Sequence, residues 1–308
     1  MAQTTQSALS AAITFKVQRK VLDNLRARMV FADPAYADSG DFDAGHDTLT
    51  FIGVPDIALN VTALTEGTKP TSQALSITTV TVSTTQYGQT VSITDLAKVK
   101  SPVALVDIGA ERLARQASES IDQVTRDVIA LGGTVLYHTG VAGLVRSDVA
   151  AGDLVTSTEL KRLRAKMFKN KIPPFSDGYY RLFVSPGVGY DLRTDTTTGG
   201  WMDAWKYTDA MPLLKSELGR MDGFRIIEVV NAPTFSSTVT VHASIAVGDI
   251  KGWGAGDLQT LRTYHVTPGG DHSDPIGQEE LLGWKVNFGV AVLSNSYYYR
   301  YESAATAI

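Results

Sequence analysis

The residues whose types could do chemistry are few. His265, Asp271, His272 and Asp274 bring imidazole and carboxylate groups into one short stretch, the donor set a divalent metal would take. Pro268, Gly269 and Gly270 run through the same stretch, and Asp and Gly are ordinary turn formers. The two-histidine helical spacing of zinc hydrolases is missing. The stretch therefore reads as a solvated loop, with a metal-dependent enzyme as the chemical alternative. Gly187-Val188-Gly189 and Gly252-Trp253-Gly254-Ala255-Gly256 are the candidates for a phosphate cradle. Neither runs into Lys-Ser/Thr or opens a helix with a ribose-binding acid downstream, so both read as turn or bulge glycines. Ser185-Pro186-Gly187 lacks the G-x-S-x-G pattern of a nucleophile elbow.

One segment is strongly basic. Lys161, Arg162, Arg164, Lys166, Lys169 and Lys171 stand against a single acid, Glu159. Such a face could meet nucleic-acid phosphates or an acidic neighbour. Only Phe168 interleaves with the cations, and a plain solvated face is the simpler reading. Tyr297, Tyr298, Tyr299 and Tyr301 alternate across a strand, so they pack a sheet rather than stack on a ligand. The sequence thus offers no nucleophile–base pair and no cofactor motif. No catalytic, cofactor-binding or metal-binding residue is assigned.

The elements that position these groups follow from periodicity. Residues 9–30 repeat Ile13, Val17, Val21, Leu25 and Met29, an amphipathic helix. Residues 31–47 carry Pro34, Gly40 and Gly45 and read as a loop. Residues 48–94 are rich in Thr, Val, Ile and Ser, with alternation at Leu75, Ile77, Val80, Val82, Val91 and Ile93. Glu66-Gly67-Thr68-Lys69-Pro70 interrupts them as a turn. Only Asp56, Glu66 and Lys69 are charged there, whereas free strand edges are normally guarded by charge, proline or bulges. Either this ribbon lies inside its own sheet or a partner covers it.

A long helix follows, with Ser101 as N-cap and Pro102 at its first position. Its stripe runs Val106, Ala110, Leu113, Ala117, Ile121, Val124, Val128 and Leu131, and Gly132-Gly133 ends it. Glu111 with Arg115, and Asp122 with Arg126, pair along its wetter side. A short strand-like piece covers 135–145. A second helix starts at a capping box of Thr156 and Glu159, buries Leu160, Leu163 and Met167, and stops at Pro173-Pro174. Arg181–Ser185 reads as a strand, 187–193 as a turn into helix, and 194–223 as loop-rich with Trp201 and Trp205. Strands are expected at 224–230, 238–247, 260–266 and 284–301. The fold class is α+β, with strands near both ends bracketing a mixed middle lobe.

Composition limits the rest. A net charge of −4 creates no field drawing the chain to DNA or an anionic membrane. Cysteine is absent, which excludes disulfides and thiolate chemistry and suits a reducing cytoplasm. Neither a signal peptide nor a membrane span is apparent.

The order of short motifs resembles the major capsid proteins of tailed bacteriophages. Leu64-Thr65-Glu66-Gly67-Thr68-Lys69-Pro70 is similar to the acid–glycine–proline signature before their extended loop. Gln86-Tyr87-Gly88 and Ile93-Thr94-Asp95 resemble the N-four-like phage subgroup. Gln116-Ala117, Asp122, Gly132-Gly133-Thr134-Val135, Val184-Ser185-Pro186, Asp191-Leu192-Arg193, Glu217-Leu218-Gly219 and Gly223-Phe224-Arg225 continue the match. The resemblance implies a Hong-Kong-type capsid fold. It implies an N-terminal arm at 1–47, an extended loop and flanking strands at 48–95, and a peripheral domain at 96–145 with a spine helix at 102–131. An axial domain at 146–270 and a return to the peripheral domain at 271–308 complete it. It further implies hexamers and pentamers closing an icosahedral shell around double-stranded DNA, held without sequence specificity. Glu66, Gly67, Lys69 and Pro70 would contact an adjacent subunit. Scaffolding, portal and decoration proteins would be partners; no cofactor, enzyme activity or membrane is implied. The virion would be the location, assembled in the host cytoplasm. An encapsulin-like compartment is the alternative with the same fold.

Overall fold

The computed structural model describes residues 29–33, 35–41, 48–55, 57–141, 143, 145–195, 217–269, 274 and 276–307. The expected helix at 9–30 falls almost wholly outside these residues, as do Asp271, His272, Trp201 and Trp205. The chain begins with strands β1 (Asp38–Asp41), β2 (Thr48–Gly53), β3 (Thr78–Ser83) and β4 (Thr85–Thr94). Helices α1 (Asp95–Lys100) and α2 (Leu105–Leu131) lead to β5 (Thr134–Tyr137), α3 (Ser157–Lys169), β6 (Tyr180–Val184) and α4 (Pro186–Thr194). Strands β7 (Glu217–Met221), β8 (Phe224–Glu228), β9 (Thr234–Ser236) and β10 (Thr240–Val247) follow. The chain then runs through β11 (Trp253–Val266), β12 (Glu279–Val292) and β13 (Tyr298–Ser303). This is the α+β class that the pattern of elements implies.

The strands form a seven-stranded sheet, a four-stranded sheet and a two-stranded hairpin. The first sheet runs β5-β13-β10-β6-β8-β7, with β9 added on β10. Alternation along β13 divides its tyrosines between two cores. Tyr299 and Tyr301 pack with Leu160, Leu163 and Met167 of α3 and Val188 and Leu192 of α4. Tyr298 points the other way, toward Phe31, Phe183 and Trp253. The second sheet runs β1-β11-β12-β4. Helix α2 lies across it, setting Ala110, Leu113, Ala117 and Ile121 against Leu282, Trp284 and Val286. At 1.5 Å per residue this helix is about 40 Å long. The hairpin joins β2 to β3.

Several local expectations are corrected by packing. Ser101 caps the end of α1 instead of opening the long helix, because a residue before proline is pushed into extended backbone. Helix α2 therefore starts at Leu105. Leu131 is 82% exposed at its last turn. Within 31–47, β1 pairs in parallel with β11, a strand no local propensity signals. Leu75 and Ile77 precede β3 and belong to no strand. The strand after α2 stops at Tyr137. Trp253–Gly256 opens β11 rather than turning, and the ring of Phe51 fills the space a side chain at Gly254 would need.

Candidate inter-subunit surface

The hairpin places Leu49, Phe51, Val80 and Val82 on one face, and Val82 is buried. Beyond Gly53 and Thr78 the chain departs from the body. The Thr78 hydroxyl donates to the Gly53 carbonyl at 3.0 Å and closes the root of this loop. The described residues of 54–77 carry no strand or helix, and all of them are exposed. Two small turns shape the segment. Thr62 N–H donates to the Asn60 side chain at 3.0 Å, and Thr68 N–H donates to the Thr65 carbonyl at 3.1 Å. Gly67 takes a φ of 77° in the second turn, a conformation that costs glycine little. Glu66 and Gly67 thus lie in this turn, with Lys69 and Pro70 directly after it on the same exposed loop.

The loop is apolar as well as exposed. Ile52, Val54, Ile57, Leu59, Val61, Leu64, Leu75 and Ile77 all face outward, with Leu59 and Val61 86% and 92% exposed. Contiguous exposed apolar surface marks an interaction site. Strand β4 adds a second open feature. It is the outer strand of its sheet, and none of its ten residues is charged. Its Tyr87, Val91 and Ile93 face α2. An open groove of about 660 Å³ runs beside it, past Tyr264, Leu281, Gly283 and Lys285.

Two buried carboxylates tie the surrounding elements together, and the sequence pattern gave no sign of either role. Asp122 was expected on the wet side of α2, beside Arg126. It is buried, and its Oδ1 accepts from the backbone N–H groups of Val30, Phe31 and Ala32 at 2.8, 2.7 and 3.2 Å. Burial raises its pKa, and the three N–H groups offset this only in part. Arg126 turns to Asp127 and Asn231 instead. Trp253 Nε1 donates to the Phe31 carbonyl at 3.1 Å, a second pin on the same segment. Glu280 on β12 takes Lys98 of α1 on one oxygen and His265 of β11 on the other, the latter at 2.5 Å. Burial alone would raise its pKa, but the hydrogen bonds from Lys98 and His265 outweigh burial and hold it below the ordinary value.

The basic helix α3 buries Leu160, Leu163 and Met167 as its periodicity implies. Its cations do not act alike. Arg162 turns inward, donating to the Tyr137 carbonyl at 2.9 Å and to Glu159 at 3.0 Å. Glu159 is buried and also accepts from the Thr139 hydroxyl at 2.6 Å, so it forms no capping box; Asp195 instead accepts from Ser157 N–H at 2.9 Å. Lys161 lies 4.0 Å from Asp222, and Arg164 lies against Gly223. Lys166, Lys169 and Lys171 are exposed beside Phe168, itself 76% exposed. In the stretch read as a solvated loop, His265 instead lies in β11 and is committed to Glu280, and Asp274 accepts from the Glu279 N–H at 2.7 Å. Among the described residues no group of three metal-ligating side chains converges, and no helix is long and apolar enough to cross a membrane.

Known structures share this architecture. The chain matches the capsid of Ralstonia phage GP4 with a TM-score of 0.71 at 14% identity, over 91% of this chain and 90% of that one. It matches the capsid of cyanophage P-SCSP1u with a TM-score of 0.66 at 16% identity, over 91% and 90%. The cyanophage Pam1 capsid matches at 0.63 and 14%, over 91% and 93%. The fold is that of tailed-phage capsids, the Hong-Kong type. No curated protein matches the sequence. The family model for phage capsid proteins matches residues 77–301, well over half of the chain. This chain belongs to the phage capsid protein family.

Proposed function

We propose that this protein is the major capsid protein of a tailed phage, assembling through copies of itself into hexamers and pentamers that close an icosahedral shell around double-stranded DNA. The exposed, apolar and nearly uncharged loop of residues 54–77 carries this reading. A single chain gains nothing by presenting Leu59 and Val61 to water, whereas a neighbour that covers them removes that cost. Sparse charge suits the same end, since an unpaired charge is costly to desolvate. Rings of such heterologous contacts close, and each bound neighbour raises the effective concentration of the next. Glu66, Gly67, Lys69 and Pro70 would touch the adjacent subunit. Lys161, Arg164, Lys166 and Lys169 would face DNA phosphates or an acidic neighbour, with Arg162 engaged inside its own chain. Residues 1–47 would serve as an arm, 48–95 as the loop with its flanking strands, 96–145 and 271–308 as the peripheral domain, and 146–270 as the axial domain. Scaffolding, portal and decoration proteins would complete a virion built in the host cytoplasm, with no catalytic step by this chain.

Electron microscopy of the purified full chain tests this. Rings, shells or tubes are expected. Replacing residues 57–74 by a short glycine-rich turn, with β2 and β3 intact, should leave a folded subunit that does not assemble. Normal particles from that variant, or a strict monomer from the parent chain under every salt and scaffold condition, would overturn the proposal.

A further inference from the structure

The hairpin that carries the loop rests on two glycines. The ring of Phe51 lies over Gly254 of β11, where an added Cβ would stand 2.4 Å from the ring carbon Cζ. Val82 and the Ser83 carbonyl lie over Gly289 of β12, where an added Cβ would stand 2.9 Å from the carbonyl oxygen and from the Val82 methyl. Strands β11 and β12 are neighbours, with Gly254 opposite Ala291 and Gly256 opposite Gly289. Phe51 and Val82 share the hairpin's single apolar face. Neither Gly254 nor Gly289 adopts a positive φ, so backbone conformation does not demand glycine at either place. Space does: the hairpin can approach the sheet this closely only where two side chains are missing.

We propose that Gly254 and Gly289 form a saddle that sets the height and tilt of the extended loop, and thereby the angle at which one capsid subunit meets the next. The inference rests on the assembly reading above for its consequence, but the tilt itself is a property of one subunit. The lever is long. Each leg of the loop holds about a dozen residues and at ~3.3 Å per residue reaches at most about 40 Å, so a tilt of about 5° moves the tip by about 3 Å. A methyl group at 289 meets backbone, which no rotamer change can relieve, and the hairpin must lift. A methyl group at 254 meets a ring that can swing aside in part. G289A should therefore act more strongly than G254A.

The experiment reads subunit and shell separately. The chain has no cysteine, so Lys69→Cys and Gln123→Cys give a clean pair of spin-label sites, one on the loop turn and one on α2. Label-to-label distances are measured in unassembled subunits of the parent, G289A and G254A, and again with Phe51→Leu added to G254A. Particle diameters are measured by cryo-electron microscopy for the same unlabelled chains, and folding by thermal melts. The expected result is a shifted distance in G289A, a smaller shift in G254A that shrinks once Phe51 is replaced, and loss of closed shells or a changed diameter in both. Unshifted distances in folded variants would overturn the saddle. Shifted distances with shells of parental diameter and yield would overturn its role in setting shell geometry. If G289A does not fold, G254A with and without Phe51→Leu decides the matter. If the parent forms no particle, the assembly reading fails while the distances still judge the saddle.

Discussion

Strand β13 and the segment 54–77 stand at opposite extremes of burial. Every residue from Tyr298 to Ser303 is buried, although Tyr298, Tyr299, Arg300, Tyr301 and Glu302 all carry polar groups. Residues 54–77 are far richer in Thr, Val, Leu and Ile than in charge, yet every described residue there is exposed. Polarity therefore does not decide which segment is inside; partners do. Tyr298, Arg300 and Glu302 of β13 find theirs within the chain. Tyr298 donates to the Ile129 carbonyl at 3.0 Å, and Glu302 takes Arg146 at 2.7 Å and Arg300 at 2.8 Å. The apolar loop finds none among the described residues. Covering one Val or Leu side chain contributes roughly 1.5–3 kcal/mol. The first region should therefore set the stability of the subunit, and the second should set only its association.

The largest loss of subunit stability is expected in the core that Trp253 shares with Phe31, Phe183 and Tyr298. Trp253 is fully buried, stacks edge-on against Tyr298 with ring centroids 5.4 Å apart, and donates to the Phe31 carbonyl. Trp253→Ala should cost about 3–5 kcal/mol in urea denaturation. A loss below about 1 kcal/mol would show that this side of the comparison is not the rigid one. Asp122→Ala comes next. It strands the buried N–H of Phe31, worth about 1–3 kcal/mol, and should expose the chain around residue 30 to proteolysis. Asp122→Asn keeps an oxygen acceptor and should lose less.

Asp122 and Glu280 respond to pH in opposite senses. Glu280 is held below its ordinary value of 4.5, so its contribution is complete above that value and fades as pH falls through the lower folded one. Glu280→Gln should flatten the acid side of the stability profile and free α1, which has no buried residue of its own, from the sheet. Asp122 is raised above 3.8, so its contribution is present below that value and is lost as pH rises through the higher folded one. Asp122→Asn should remove that decline. Melting temperatures between pH 3 and 7 for the three chains check both signs; parallel profiles would contradict them.

Much of the architecture was legible because it is written in local periodicity. The α2 stripe from Ala110 to Ile121, the buried face of α3 and the alternation of tyrosines in β13 all follow from spacing alone. What was not legible depends on residues far away in sequence. Asp122 fits an i,i+4 surface pair, and only contact with residues 30–32 makes it a clamp. Glu280 lies 182 positions from Lys98, so no window of sequence holds both. Gly254 resembles a turn glycine until Phe51 is seen above it. For the candidate surface, the missing charge on 48–94 was the useful signal. It left open whether the ribbon was enclosed, and the structure divides it: Val82 and Ile93 are buried, while 54–77 is not.

The smallest effect on the subunit should accompany a complete effect on the particle. Leu59→Ser together with Val61→Ser replaces two side chains that touch water and leaves the hairpin root at Phe51 and Val82 intact. Surface changes of this kind usually alter folding stability by no more than about 0.5 kcal/mol. The urea midpoint of the subunit should not move, because no described part of its own fold rests on these groups. Assembly should fail, because many copies of the same contact act together and a small loss in each multiplies around a closed shell. Sedimentation of the variant beside the parent chain separates the two quantities. A lowered midpoint with normal particles would reverse the contrast between β13 and the loop, and would mean that residues 59 and 61 pack on their own subunit.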